Sequence, residues 1–425
     1  MKTRKGRGYG IFDNKSHGTT HKKNDEVYWQ VRSEFASKYG IIFDGQDKPA
    51  PVSHDEFRQQ TQNNLRIVSK VLEQDQSLID YIADSLVSIG ESVPDNISTF
   101  RLPAAQDVVG DKTLYDYKNY PEEIYAKPGE KKPNRAGLSS WGAWINAYCA
   151  QKYSRPLFIA MSADLADSTN ISGFAKAFGD FDGYGWFNRD TNIEGTLLPQ
   201  AITEFTNSGI CVGMASVNMH TDPENYFNGF FTACSTYGSF SYLKYGMMRL
   251  YSQLVQDSPL KTGKVLWVAG HSGPETAEDS RTHFGIFAPG VTQLFPKGKV
   301  INLYPWEHNE VPVLLGAAFS KDQPIIILHL TRPPINIPDR EALGIPSHFE
   351  AANGAYIMRD FKPDKPKMGT IIVTGTSSTN NTVALFEELD KLELNVKIVG
   401  ATSHDLFLMQ AEVYRNKILP FNEWM

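Results

Sequence analysis

Apolar positions along this chain change their spacing partway through. Between residues 55 and 92 they recur three and four apart, first at Leu65, Val68, Val71 and Leu72, then at Leu78, Ile79, Ile82 and Leu86. That spacing puts each group on one helix face and predicts two helices. Residues 93–134 carry Pro, Lys and Tyr without a period and contain Pro-Gly-Glu-Lys-Lys-Pro, the pattern of a long surface linker. From residue 135 onward, short unbroken apolar runs alternate with helical stretches. Strands are expected at 157–161, 210–217, 265–269, 300–303 and 325–328, and helices at 139–150, 199–207, 242–254 and 311–319. Strands apolar on both sides and alternating with helices predict an α/β fold with a parallel sheet covered on both faces. After residues 363–368 the pattern resumes with a strand at 370–374, a helix at 381–392, a strand at 396–399 and a helix ending near Leu419. One such unit is too small for a core of its own, so this last domain is expected to be cut short.

Composition narrows the function class. The 425 residues suffice for two or three domains, and 41% hydrophobic with 21% charged residues is ordinary for a globular protein. The net charge is -6, and the one basic run is 2–7, which argues against a nucleic-acid-binding surface. No run of eighteen apolar residues occurs, so no membrane span is expected. The basic N-terminal residues have no apolar segment after them, unlike a secretory signal. Three widely spaced cysteines, Cys149, Cys211 and Cys234, suit reduced thiols in a cytoplasmic protein.

The densest chemistry is Gly270-His-Ser-Gly-Pro-Glu-Thr-Ala-Glu-Asp-Ser-Arg-Thr-His283, directly after an expected strand. Loops at the carboxyl ends of parallel strands are where α/β proteins hold ligands. Histidines, carboxylates and an arginine there can bind hydroxyls and phosphate and move protons. A solvated loop with a Glu278–Arg281 surface pair is the plainer alternative.

This loop resembles the transketolase signature Thr-His-Asp-Ser followed by Gly-Glu-Asp-Gly-Pro-Thr-His. The histidine separation is the same, and Glu278, Asp279, Thr282 and His283 fall in register, while Ala277, Ser280, Arg281 and Phe284 depart. Further resemblances follow in family order. Arg135-Ala-Gly-Leu-Ser139 is similar to Arg-x-x-Ser, and Met161-Ser-Ala-Asp-Leu-Ala-Asp-Ser-Thr-Asn170 to Gly-Ser-Ala-Asp-Leu-x-x-Ser-Asn. Pro305 to Glu310 is similar to Arg-Pro-x-Asp-x-x-Glu, and Leu328-His-Leu-Thr-Arg332 to Leu-Ser-Arg. Lys2-Thr-Arg-Lys-Gly-Arg-Gly-Tyr with His17-Gly resembles the end of the family's diphosphate-binding domain. The resemblance implies four regions: 1–50 as the tail of that domain, 51–134 as a helical segment and linker, 135–340 as a pyrimidine-binding domain, and 363–425 as a partial C-terminal domain.

It also implies roles. Arg135, Ser168, His271 and Arg332 match the residues that grip the sugar's phosphate, a task suited to guanidinium, hydroxyl and imidazole donors. A helix cap at Ser168 and a strand-end ion pair at Arg332 are the structural alternatives. His17 and His283 match histidines that touch the reacting carbonyl and hydroxyl oxygens, and Asp279 the carboxylate that reads a substrate hydroxyl. The family's aromatic wall, Thr-Phe-x-x-Phe-x-x-Tyr, matches Thr236-Tyr-Gly-Ser-Phe-Ser-Tyr-Leu243, with Arg249 beyond it. Tyr237 and Phe240 would face the cofactor's aminopyrimidine, or be plain core.

The family's Gly-Ile-Arg-Glu-His-Ala-Met carries a glutamate that protonates that ring. Counting back from Asn207-Ser-Gly places Gln200 there, and an amide cannot relay a proton. Glu194 and Glu204 serve only in another register. The implied cofactors are thiamine diphosphate and Mg2+, the metal ligands lying on a domain absent from this chain. Gly179-Asp-Phe-Asp-Gly183 lies in the wrong domain for them. The implied reaction is transketolase-like transfer of a two-carbon ketol unit between sugar phosphates in the pentose phosphate pathway. It would proceed in a homodimer or with a partner chain that supplies the diphosphate domain. A deoxyxylulose-phosphate synthase-like enzyme and a catalytically silent regulatory module are the rival readings.

Overall fold

The computed structural model describes residues 24, 26–91, 105–199, 202–271 and 289–421. They fall into two compact units divided after Ser98.

The first unit is helical: α1 (Glu26–Tyr39), α2 (His54–Gln74) and α3 (Gln76–Glu91). The last two are the helices the periodicity predicts. A capping box fixes the start of α2: Ser53 Oγ accepts from Glu56 N at 3.2 Å, and Glu56 Oε2 accepts from Ser53 N at 3.0 Å. Helix α1 has no clean apolar period and was not foreseen. Its Trp29 and Phe35 turn toward Phe43, with ring centroids 6.4 and 6.3 Å away.

The second unit corrects the linker reading. Residues 112–124 form three short 3-10 turns, with Leu114 and Ile124 fully buried and Tyr120 nearly so. Short turns carry no helical period, so their buried residues leave no pattern to read. The strand β1 (Lys131–Lys132) leads into α4 (Arg135–Tyr153), β2 (Phe158–Ser162), α5 (Glu204–Ala215), β3 (Phe231–Tyr237) and α6 (Tyr245–Asp257). There follow β4 (Val265–Gly270), β5 (Val300–Leu303), α7 (Glu310–Phe319), β6 (Ile325–His329) and β7 (Ile335–Asn336), which pairs antiparallel with β1.

Five strands form one parallel sheet in the order β2-β3-β4-β6-β5. Alternate residues serve the two faces. Leu266, Val268, Ile326 and Leu328 join the core under α4 and α7, around Trp141 and Phe319. Val265, Trp267, Ile325 and Ile327 join the core under α5 and α6, around Cys211, Met248 and Tyr251. Burial on both faces is why these strands read as unbroken apolar runs.

The apolar run Ile210 to Val217 misled the reading of 210–217 as a strand and of 199–207 as the preceding helix, although Ile210 and Val217 are exposed. Both give way to the single helix α5 (Glu204–Ala215), and the sheet position goes to β3, which was not foreseen.

The C-terminal residues build a second sheet from β8 (Ala355–Arg359), β9 (Gly369–Val373) and β10 (Val396–Ala401), in the order β8-β10-β9 with β8 antiparallel. Helices α8 (Thr376–Ala384), α9 (Phe386–Lys391), α10 (His404–Leu408) and α11 (Glu412–Ile418) complete it. Val373, Val383, Ile398 and Leu406 belong to the same core as α4 and α7. This segment shares that core and adds a small cluster of its own around Ala355, Val399 and Ile418.

Candidate functional site

The carboxyl edge of the five-stranded sheet gathers the polar side chains. At the end of β4, Gly270 approaches the loop after β2 so closely that an added Cβ would stand 2.6 Å from Thr169 Cγ2. The next residue, His271, is 1% exposed and has φ 51, a left-handed conformation that strains a non-glycine residue. The opposing loop is pinned by a chain of hydroxyls. Thr169 Oγ1 donates to Ser235 Oγ, and Ser235 to Ser162 Oγ, each at 2.8 Å.

Arg135 is the first residue of α4, where the helix dipole already favours anions. Its Nη1 donates to the Ser168 carbonyl and lies 2.7 Å from His271 Nε2. Arginine carries only donors, so Nε2 accepts and His271 is the neutral tautomer protonated at Nδ1. The 3.3 Å approach of that Nε2 to the Ser168 carbonyl is then a meeting of two acceptors bridged by the guanidinium. The Ser168 hydroxyl pairs with Tyr237 OH at 2.8 Å, and the Tyr237 ring stacks on His271 with centroids 4.2 Å apart at 19°. The hydroxyl is thus turned to Tyr237.

Arg332 is tied to the same corner by backbone. Thr331 N donates to Asn134 Oδ1 at 2.9 Å, and Asn134 also holds Thr376 Oγ1 and the Pro305 carbonyl, each at 3.1 Å. The residues preceding Arg135 and Arg332 are therefore bonded to each other.

On the other face of β3, Thr236 Oγ1 donates to Glu204 Oε1 at 2.9 Å. Glu204 is the first residue of α5 and is 8% exposed. Consecutive strand residues point to opposite faces, so Thr236 and Tyr237 address this carboxylate and the Arg135 cluster respectively. Beneath them Lys244 is fully buried, donating to the carbonyls of Cys234 and Val268 at 3.0 and 3.2 Å. Burial lowers its proton affinity, opposed by the neighbouring Cys234, Cys211 and Glu204. All three cysteines are free and buried.

The structure brings Arg135, Ser168, His271 and Tyr237 into direct contact, with Arg332 alongside. Phe240 follows in a half-buried 3-10 turn, Gly238–Lys244. His17, Gln200, Asp279 and His283 lie outside the described residues. The helix expected to carry Gln200 starts four residues later, which makes Glu204 the buried carboxylate at its N-terminus. Asn207-Ser-Gly, the anchor of the count, lies inside α5. The usable signal was an acidic residue just before a helical apolar run, the mark of a first turn. Among the described residues, no group of three or more His, Cys, Asp or Glu is placed to hold a metal ion, and no helix is long and apolar enough to cross a membrane.

A parallel sheet with an arginine, a histidine, hydroxyls and a buried carboxylate at its carboxyl edge defines an α/β ligand-binding domain. Residues 139–334 match the family model "Transketolase, pyrimidine binding domain", and this central domain belongs to that family. Transketolase 1 of Candida albicans is 28% identical over 265 residues, covering 62% of this chain and 35% of that protein. Transketolase 1 of Pasteurella multocida is 25% identical over 305 residues, covering 71% and 41%. Among solved structures, transketolase from Leishmania mexicana superimposes with a TM-score of 0.57 at 17% identity, over 93% of this chain and 50% of that one. A Pichia stipitis transketolase in complex with sedoheptulose-7-phosphate gives 0.56 at 17% identity, over 92% and 50%. The chain thus spans about a third to a half of the length of these relatives.

Proposed function

We propose that this chain provides the sugar-phosphate and aminopyrimidine half of a transketolase-type site, which transfers a two-carbon ketol unit between sugar phosphates. The observation that supports this most is the placing of Arg135, Ser168 and His271 on one side of the end of β3 and Glu204 on the other. A ligand lying across the strand ends would meet both.

The residues suit thiamine diphosphate. Tyr237 and Phe240 offer aromatic faces, and Glu204 offers a buried carboxyl oxygen to a ring nitrogen. When bound, the cofactor supplies the carbon nucleophile for carbon–carbon cleavage and formation. Glu204 would exchange a proton with the aminopyrimidine nitrogen, the role that the sequence count gives to Gln200. Arg135, Ser168, His271 and Arg332 hold the phosphate and so fix the sugar's reach. His283 and His17 move protons at the carbonyl and hydroxyl oxygens, and Asp279 orients a hydroxyl. The diphosphate and Mg2+ are held by a diphosphate-binding domain, from a second copy or a partner chain. Residues 1–50 are the tail of such a domain, and 363–425 the start of the C-terminal one. The setting is the cytoplasmic pentose phosphate pathway.

Calorimetry tests this with thiamine diphosphate and magnesium, first on this chain alone and then mixed with a chain carrying a diphosphate-binding domain. Binding in the mixture is expected, and no binding in either arrangement would end the proposal. In the active mixture, Glu204→Gln should lower turnover about 10²- to 10⁴-fold, while Gln200→Glu leaves it near its starting value. Full activity of Glu204→Gln would remove Glu204 from the proton path.

A further inference from the structure

The family's aromatic wall begins with phenylalanine, and this chain has Tyr237 there. The added phenol is not turned toward solvent, for the residue is 8% exposed and its oxygen lies 2.8 Å from Ser168 Oγ. Its ring stacks on His271, whose Nε2 accepts from Arg135. One side chain of the aromatic wall therefore touches both Ser168 and His271 of the proposed oxyanion grip.

Proton counting gives the contact a consequence. Each hydroxyl has one proton and two lone pairs. The Tyr237–Ser168 bond uses one of the two protons, whichever oxygen donates. The direction of the second is then constrained by the first bond. A phosphate oxygen accepts and does not donate, so the pair meets it as one oriented donor. A serine facing phenylalanine would have a hydroxyl free to rotate, and ordering it would fall to the ligand. The ring stack also limits the tilt of His271, which keeps its accepting nitrogen on Arg135 and the guanidinium in place.

We propose that Tyr237 is a specificity-determining residue at the oxyanion end of the site. Through Ser168 and His271 it sets the donor geometry that a phosphorylated substrate meets, and it raises the preference for phosphorylated over unphosphorylated ligands. The inference rests on Arg135, Ser168 and His271 being the phosphate grip.

The test is a titration of the full chain with inorganic phosphate, in the unmodified form and as Tyr237→Phe, Ser168→Ala and the double variant. Phenylalanine retains the ring stack and fits the same space, and circular dichroism checks that each variant is folded. Tyr237→Phe should weaken phosphate binding about three- to tenfold, the worth of one neutral hydrogen bond. The double variant should bind no worse than Ser168→Ala, because the phenol acts through the serine. Equal affinity of Tyr237→Phe and the unmodified chain would overturn the proposal. So would fully additive losses, or an unmodified chain that does not bind phosphate. Failure of thiamine diphosphate to bind in the mixture, with the phosphate result intact, would remove the ketol-transfer reading and leave the oxyanion site standing.

Discussion

Two arginines in the same unit, Arg340 and Arg135, sit in contrasting surroundings. Arg340 is 8% exposed and its Nη2 donates to Glu307 and Glu310, each at 2.9 Å. Tyr356 OH adds 2.6 Å to the same Glu310 oxygen, and the remaining carboxylate oxygens accept the backbone N–H groups of Trp306 and Asn309 at 2.7 Å. Burial raises the proton affinity of Glu310, and Arg340 opposes that rise. Every carboxylate oxygen there has a donor, so the cluster locks the segment before α7 to the residues before β8. Arg135 is half-buried and bonds a backbone carbonyl and the His271 ring rather than a pair of buried glutamates. Its guanidinium sits at the N-terminus of α4, at the carboxyl edge of the sheet, where the proposed phosphate would bind.

The sharpest way to break this contrast is Arg340→Met. It leaves two buried carboxylates facing each other and should destabilise the chain by about 3–5 kcal/mol, read from urea unfolding. A loss below about 1 kcal/mol would mean that the cluster is not a lock. Acid should act on the same side. Burial pushes His308, between the two glutamates, down to about 4, and His329 at the end of β6 down to about 3. Both stay neutral in the fold and take protons when unfolded, from an ordinary value near 6.5. Their contribution is complete above about pH 6.5 and declines as pH falls toward their folded values. Each should remove about 2 kcal/mol between pH 6.5 and 5. Unfolding curves at the two pH values check this, and His329→Asn should flatten the slope; an unchanged slope would exclude His329 from it. The smallest stability effect belongs to Arg135→Met, within about 1 kcal/mol. That variant should still lose phosphate affinity by about ten- to a hundredfold, as expected for a hydrogen bond to a charged group. A stability loss as large as that of Arg340→Met would erase the distinction between the two arginines.

The motif Pro305 to Glu310 shows how far a resemblance carries by itself. It was legible as a family-like stretch, yet its two glutamates spend their oxygens on Arg340 and on backbone within the fold. Arg340 lies thirty residues beyond, and no local spacing announces it.

The legibility of each element followed its packing. Strands β4, β5 and β6 are apolar on both faces and could be read within a residue or two. Strand β3, Phe-Thr-Ala-Cys-Ser-Thr-Tyr, hides because its small polar residues are satisfied by neighbours. Thr232 donates to the Cys211 carbonyl, Ser235 to Ser162 and Thr236 to Glu204. Each partner is remote in sequence, so the strand reads as polar. Helix α5 fails in the opposite way, its apolar run imitating a buried strand although Ile210 is exposed.

The sequence by itself determined the alternation of strand and helix, the parallel sheet that follows from it, and the expectation that Arg135, Ser168 and His271 come together, as they do in the fold. These depend on local spacing and on motifs that keep their order. Only the tertiary structure decided which carboxylate faces the site, that Tyr237 binds Ser168, and that Arg340 completes Glu307 and Glu310. Each of these is a contact between elements far apart in the chain. The register of a helix against a strand is set by how their side chains pack, and a one-dimensional count, such as the one that pointed to Gln200, does not contain the Thr236–Glu204 contact.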